Sequence, residues 1–95
     1  MAAPVAAEGV ILVGQKPVAN YVLAAVTQFT LGSKKVILKA RGRAISKAVD
    51  AAEVIKRFMG EKVAISNVSI SSEKVGEPGK ERLVSAIEIT LERKE

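Results

Sequence analysis

Residues 34–60, KKVILKARGRAISKAVDAAEVIKRFMG, decide the fold. From Lys35 or Val36 to Ala40 the chain is short and largely apolar, which reads as a buried strand. Ile45, Ala48, Val49, Ala52, Ile55 and Met59 then recur at helical spacing, and Gly60 stops the helix they define. Between the two lies only Arg41-Gly42-Arg43. A strand that passes almost at once into a helix is the joint of an α/β unit, and this joint is unusual in its charge: the stretch from Lys34 to Lys47 holds six cations and no acid. Like charges gathered at one place repel each other unless something anionic neutralises them.

Toward the N-terminus the same unit recurs. Residues 10–13, VILV, form an apolar run closed by Gly14 and predict a strand buried on both faces. Pro17 stands where a first helical residue belongs, since its fixed φ and missing N–H do no harm there. Residues 17–31 contain no charge. Val18, Val22, Ala25, Val26 and Phe29 share one helical face, with Asn20, Thr27 and Gln28 opposite as surface polars and Tyr21 at the core edge. Gly32 is the C-terminal stop. Strand, helix, strand, helix predicts two parallel strands joined by a right-handed crossover.

Toward the C-terminus the period changes to two. Val63 and Ile65 alternate with polar neighbours, Val68 and Ile70 resume on the other phase, and Ile87, Ile89 and Leu91 alternate with Glu88, Thr90 and Glu92. The phase slip predicts a bulge. Gly76, Pro78 and Gly79 mark the turn of a hairpin whose arms run beyond the core. The expected fold class is α/β, an α+β sandwich with a four-stranded mixed sheet, two helices and an extended β-hairpin. Residues 1–8 read as a flexible tail and 9–95 as one domain, as suits a chain of 95 residues.

Composition removes most chemistry. The chain has neither Cys nor His, so a disulfide framework, a thiolate nucleophile, the usual zinc ligands and an imidazole base are all excluded. An enzyme would need a carboxylate pair, and Asp50 and Glu53 are better placed to neutralise Lys47 and Arg57 at helical spacing. No catalytic residue, metal site or cofactor is expected. With 48% of residues apolar but only Tyr21, Phe29 and Phe58 aromatic, the core must be aliphatic. No apolar run approaches the roughly 20 residues that span a bilayer, and residues 1–9 lack the features of a secretory signal. The expected setting is the cytoplasm.

The net charge of +5 is concentrated in one part of the chain. Through Gly60 there are nine Lys and Arg against Glu8, Asp50 and Glu53, whereas the remainder has six cations against seven acids. An isolated cation at an element end is ordinarily a solubility feature; a localised field of this kind suits a polyanion. If the chain stays extended through Arg43, then Lys39, Arg41 and Arg43 lie on one side. Arg43 also precedes a helix N-terminus, where another cation is unfavourable and a phosphate is welcome. Lys16 sits on the facing loop and Lys47 one turn into the helix. Single-strand binders need aromatic platforms, which this chain lacks. A duplex held through its phosphates needs only basic groups and shape, and a hairpin carrying Lys80 and Arg82 suits a groove. The residues therefore point to double-stranded nucleic acid bound with little sequence preference.

Three stretches, VGQKPVANYVLAAV, KARGRAISKAVDAAEVIKRF and VSAIEITLERK, resemble the Alba family, the small basic chromatin proteins of archaea. The resemblance covers nearly the whole chain after the tail. It implies a βαβαββ topology and a homodimer that coats DNA without sequence specificity and also binds RNA, with a paralogue as an alternative dimer partner. It implies chromosome-associated localisation in the nucleoid and DNA condensation, and relatives serve as subunits of eukaryotic ribonuclease P and MRP. By motif, Lys16 matches the lysine before the family's proline, Arg41 and Arg43 match its Arg-Gly-Arg, and the segment from Glu73 to Arg82 matches its DNA-gripping hairpin. Members often carry two lysines between the glycine and the proline, the first an acetylation site; here that position is Gln15, leaving Lys16 as the candidate modification site.

Assembly is expected from the second helix. Ala51, Val54 and Phe58 fall beside its main apolar stripe, making the apolar surface wider than one sheet needs to cover. The family analogy assigns Phe58 to contacts between dimers. Two rival readings fit the same residues: an RNA-binding ribonucleoprotein subunit using the same cations, and a protein module docking an acidic partner on the basic turn.

Overall fold

The computed structural model describes residues 8–94. The elements run β1 (Glu8–Leu12), α1 (Val18–Thr30), β2 (Lys35–Arg41), α2 (Ala44–Met59), a 3-10 turn (Gly60–Lys62), β3 (Val63–Val75) and β4 (Arg82–Arg93). The four strands form one mixed sheet in the order β1-β2-β4-β3. β1 and β2 are parallel, and β4 runs antiparallel to both β2 and β3. The βαβαββ order and the long hairpin are as the sequence predicts. Glu8, assigned to the tail, instead opens β1 opposite Lys35; the expected flexibility of residues 1–7 lies outside the described residues.

Both helices pack on one face of the sheet, and alternation along the strands does the rest. Val36, Leu38 and Ala40 of β2 and Ile87, Ile89 and Leu91 of β4 point into a core completed by Tyr21, Ala25 and Phe29 of α1 and Ala48, Ala51, Ala52 and Ile55 of α2. Among the described residues the other face has no covering layer. This corrects the expectation that β1 is buried on both faces: Val10 is 54% and Leu12 74% exposed. The apolar run there arises from a half-covered strand whose open face is also aliphatic. β2 is likewise buried on one face only, with Lys39 and Arg41 on the open side.

Helix ends follow local chemistry. Pro17 is the N-cap of α1, with φ −60° and ψ 153°, so the helix begins one residue later than the proline pattern predicts. At its other end the N–H of Gly32 donates to Phe29 O and that of Ser33 to Gln28 O, a Schellman closure that satisfies two orphan carbonyls. Gln28, expected as a plain surface polar, also accepts from Ser33 Oγ at 2.9 Å. On α2 the buried set is rotated from the predicted stripe: Ala51 is inside and Val49 is 38% exposed. The ion pairs expected from Asp50 and Glu53 to Lys47 and Arg57 do not form among the described residues.

The hairpin shows the predicted bulge. Ile65 faces Leu91 and Val68 faces Ile89, three residues apart on β3 but two on β4, because the register shifts between Ile65 and Asn67. The extra residue keeps Ile65, Val68 and Ile70 on the helix-side face of the sheet. The turn closes with the N–H of Lys80 donating to Glu77 O at 2.8 Å. Pro78 fixes φ at the first central position, and Gly79 at φ 86° takes the second, where a type II turn requires positive φ.

Candidate nucleic-acid interface

Gly42 is what turns a basic strand end into a basic cluster. With φ at 60°, a value that L side chains rarely adopt, it bends the chain out of β2, while its N–H donates to Ser85 O at 2.8 Å and so stays tied to the sheet. Arg43 then has helical angles, φ −67° and ψ −18°, as the N-cap of α2. The chain is therefore not extended through Arg43, and the predicted row of three alternating cations ends at Arg41. Arg43 is brought back by the turn instead. Arg41, Arg43 and Lys47 line one side of an open depression of about 560 Å³, and Val13, Gly14 and Gln15 line the other.

The facing loop is held in place from inside the protein. The backbone N–H groups of Gly14 and Lys16 both donate to the Tyr21 hydroxyl, at 2.9 and 3.0 Å. From the second helix, Lys47 Nζ donates to Lys16 O at 2.8 Å. Gln15 and Lys16 are exposed. α2 has no acid in its first turn, and among the described residues no side chain caps its N-terminus; the Ile45 N–H donates to Gly42 O at 3.2 Å, and the macrodipole adds to the positive field.

Two of the predicted site cations have acidic neighbours that the sequence run conceals. Lys39 lies across from Glu88 on β4 and pairs with it at 3.5 Å, and Arg41 Nη1 donates to Glu73 Oε1 at 3.2 Å. Both pairs are on the open face. A run that is acid-free along the chain is not acid-free in space, because the carboxylates arrive from strands far on in sequence. Lys80 falls in the hairpin turn and Arg82 opens β4. Glu81 pairs with Lys74 at 3.8 Å, and among the described residues Lys16, Arg43, Lys80 and Arg82 have no ion-pair partner. The site residues thus separate into Arg41, Arg43 and Lys47 at the depression, with Lys16 beside it on the loop that Lys47 holds, Lys80 and Arg82 on the projecting arm, and Lys39 on the open face, paired with Glu88.

Of the residues assigned to assembly, Ala51 is fully buried within the protomer and offers no surface. Val54 and Phe58 do. Phe58 is 71% exposed and, with Val54 and Val18, Ala19, Val22, Leu23 and Val26 of α1, lines an apolar depression of about 420 Å³. A second apolar strip follows from the hairpin: Ile65, Val68, Ile70 and Leu83 are 41%, 53%, 79% and 67% exposed where the arm runs past the helices.

A mixed sheet covered by helices on one face, with a basic strand-to-helix turn at its end and a long two-stranded arm, defines a small α+β protein built to present cations. The sequence model of the Alba family matches residues 9–72, and the chain belongs to that family. It is 54% identical over 89 residues to the DNA/RNA-binding protein Alba of Pyrobaculum islandicum, covering 92% of this chain and 97% of the relative. The protein of the same name from Methanocella arvoryzae is 55% identical over 87 residues, covering 90% and 91%. Among solved structures, Alba from Thermoplasma volcanium superposes with a TM-score of 0.84 at 44% identity, over 90% of this chain and 100% of that one.

Proposed function

We propose that this protein is a non-enzymatic, chromosome-associated binder of double-stranded DNA that recognises phosphates and not base sequence. The observation that carries the reading is the convergence of Arg41, Arg43 and Lys47 with Gly14 and Gln15 of the facing loop around one open depression at the N-terminus of α2. Such a surface neutralises backbone charge and offers no ordered set of groups for reading base edges. Lys80 and Arg82 on the projecting arm extend the grip into a groove. Lys39 contributes to the field through a pair that phosphate must open. The names of the relatives support nucleic acid as the ligand.

The working unit is a dimer. The uncovered strip Ile65, Val68, Ile70 and Leu83 on the arm supports a second copy of the chain, or a paralogue, closing over the hairpin. The Val54 and Phe58 surface supports contact between dimers along DNA, which is how a small protein coats and condenses a duplex in the nucleoid. Among the described residues no helix is long and apolar enough to cross a membrane.

RNA is the second reading, favoured by the same relatives' names. Binding to random-sequence duplex DNA and to duplex RNA, each titrated with salt, tests both. Equal, steeply salt-dependent affinities extend the function to RNA; a preference for one DNA sequence contradicts the proposal.

A further inference from the structure

Tyr21 has a role that neither its place in the core nor its lack of charge announces. It lies in the first turns of α1 and is 7% exposed. From there its hydroxyl reaches back toward the N-terminus and accepts the N–H groups of Gly14 and Lys16, seven and five residues earlier, at 2.9 Å for Gly14 and 3.0 Å for Lys16. One oxygen that gathers two amides on either side of a residue forces that residue outward, and Gln15 stands exposed at the apex. The end of β1 is fixed at the same time, since the N–H of Val13 donates to Lys39 O at 2.8 Å. Beyond it, Lys47 Nζ holds the carbonyl of Lys16.

We propose that Tyr21 is the positioning residue of the binding loop, its hydroxyl holding residues 14–16 in the one shape that presents the Lys16 side chain to a phosphate. The role rests on reading that loop as part of the nucleic-acid interface. The hydroxyl oxygen occupies the place an anion would take between the two amides, so the Gly14 and Lys16 N–H groups point inward and are spent on shape. Contact with the phosphate then falls to the ammonium of Lys16, together with Lys47, which holds its carbonyl, and Arg43. A loop already ordered in the free protein loses no backbone freedom on binding. Because the tyrosine is shielded, water cannot replace these two hydrogen bonds cheaply.

Tyr21→Phe tests this, keeping the ring in the core and removing only the oxygen. In the wild-type protein, amide exchange at Gly14 and Lys16 is expected to be slower than at Gln15, whose N–H has no partner among the described residues. In Tyr21→Phe those two amides are expected to exchange at least about tenfold faster, with Val36 and Leu38 unchanged, and random-sequence duplex to bind about three- to tenfold more weakly. The decisive comparison is Lys16→Ala made in both backgrounds: its loss of affinity is expected to shrink in Tyr21→Phe, because an unpositioned lysine has less to lose. If the tyrosine only filled the core, Tyr21→Phe would keep that packing and leave both the amide protection and the Lys16 effect intact. Strictly additive losses, or unprotected Gly14 and Lys16 amides in the wild type, overturn the proposal; the second measurement needs no variant to fold. Wild-type binding that is indifferent to Lys16→Ala overturns the interface reading of the loop, and the presentation role with it. Protected amides with additive losses overturn the presentation role alone.

Discussion

Arg41 Nη1 lies 3.2 Å from Glu73 Oε1, so a cation at the end of β2 is held by a carboxylate on the hairpin arm. The two are not neighbours in the sheet register, where Arg41 faces Ala86 and Ala86 faces Ser71; the contact is a diagonal across the open face. It occupies the guanidinium that the turn would otherwise offer to a phosphate, and ties the arm to the body of the protein. With side chains 62% and 48% exposed, such a pair is worth only about 0–1 kcal/mol, so a phosphate can displace it. Glu73→Gln is therefore expected to tighten duplex binding about two- to fivefold. In an Arg41→Ala background the gain should fall toward that of Glu77→Gln, which removes the same charge from the turn without touching Arg41. An equal gain in both backgrounds means that Glu73 acts only through the general field.

Arg43 is the arginine of the cluster with no ion-pair partner among the described residues. Arg43→Ala is expected to weaken binding to all duplex sequences alike and to make the salt slope shallower by about one unit per lost contact. Lys34→Ala, at the opposite end of β2, should do less. Matching losses at the two positions would replace a defined site with a diffuse field.

Gln15 stands exposed at the apex of the loop, and its neutral amide resembles acetyl-lysine. Gln15→Lys should tighten binding and steepen the slope by about 0.9 per subunit on B-DNA. Superimposable salt titrations for wild type and variant would take the apex out of the phosphate contacts.

Phe58 is exposed near the C-terminal end of α2, far along the helix from the basic turn. On the proposed reading, Phe58→Ala leaves the dimer intact by sedimentation and reduces the cooperativity of coating on long duplex DNA. A monomeric variant would assign Phe58 to the primary interface, and unchanged cooperativity would remove it from both.

The helices, the sheet and the bulged hairpin are legible in the sequence because period and punctuation agree: Pro17, Gly32, Gly42 and Gly60 bracket two helical stripes, and the phase slip between Ile65 and Val68 carries the bulge. Burial is less legible. VILV, which closes β1 and runs one residue past it, looks buried on both sides, yet aliphatic residues also occupy the open face, and nothing local distinguishes a covered strand face from an uncovered one. Ala51 belongs to the core and not the surface for a related reason: small residues on α2 mark where the helix approaches its neighbours closely, and the larger Val49 is turned out. The cations of the site are legible as a run, but the carboxylates of Glu73 and Glu88 are not, since the fold of the sheet brings them there from more than thirty residues away. Tyr21 reads as core edge, and its burial agrees; the use of its hydroxyl depends on the loop folding back over the start of α1, a geometry no pattern in the chain spells out.

Binding, on the proposed reading, is a phosphate contact made by a small set of placed cations. The slope of log K against log salt for wild-type protein on one random-sequence duplex and on its scrambled counterpart tests this most directly. Straight, superimposable lines are predicted, falling by about 0.9 per phosphate neutralised, over several phosphates for a dimer. A flat line, or lines that separate with sequence, would contradict it.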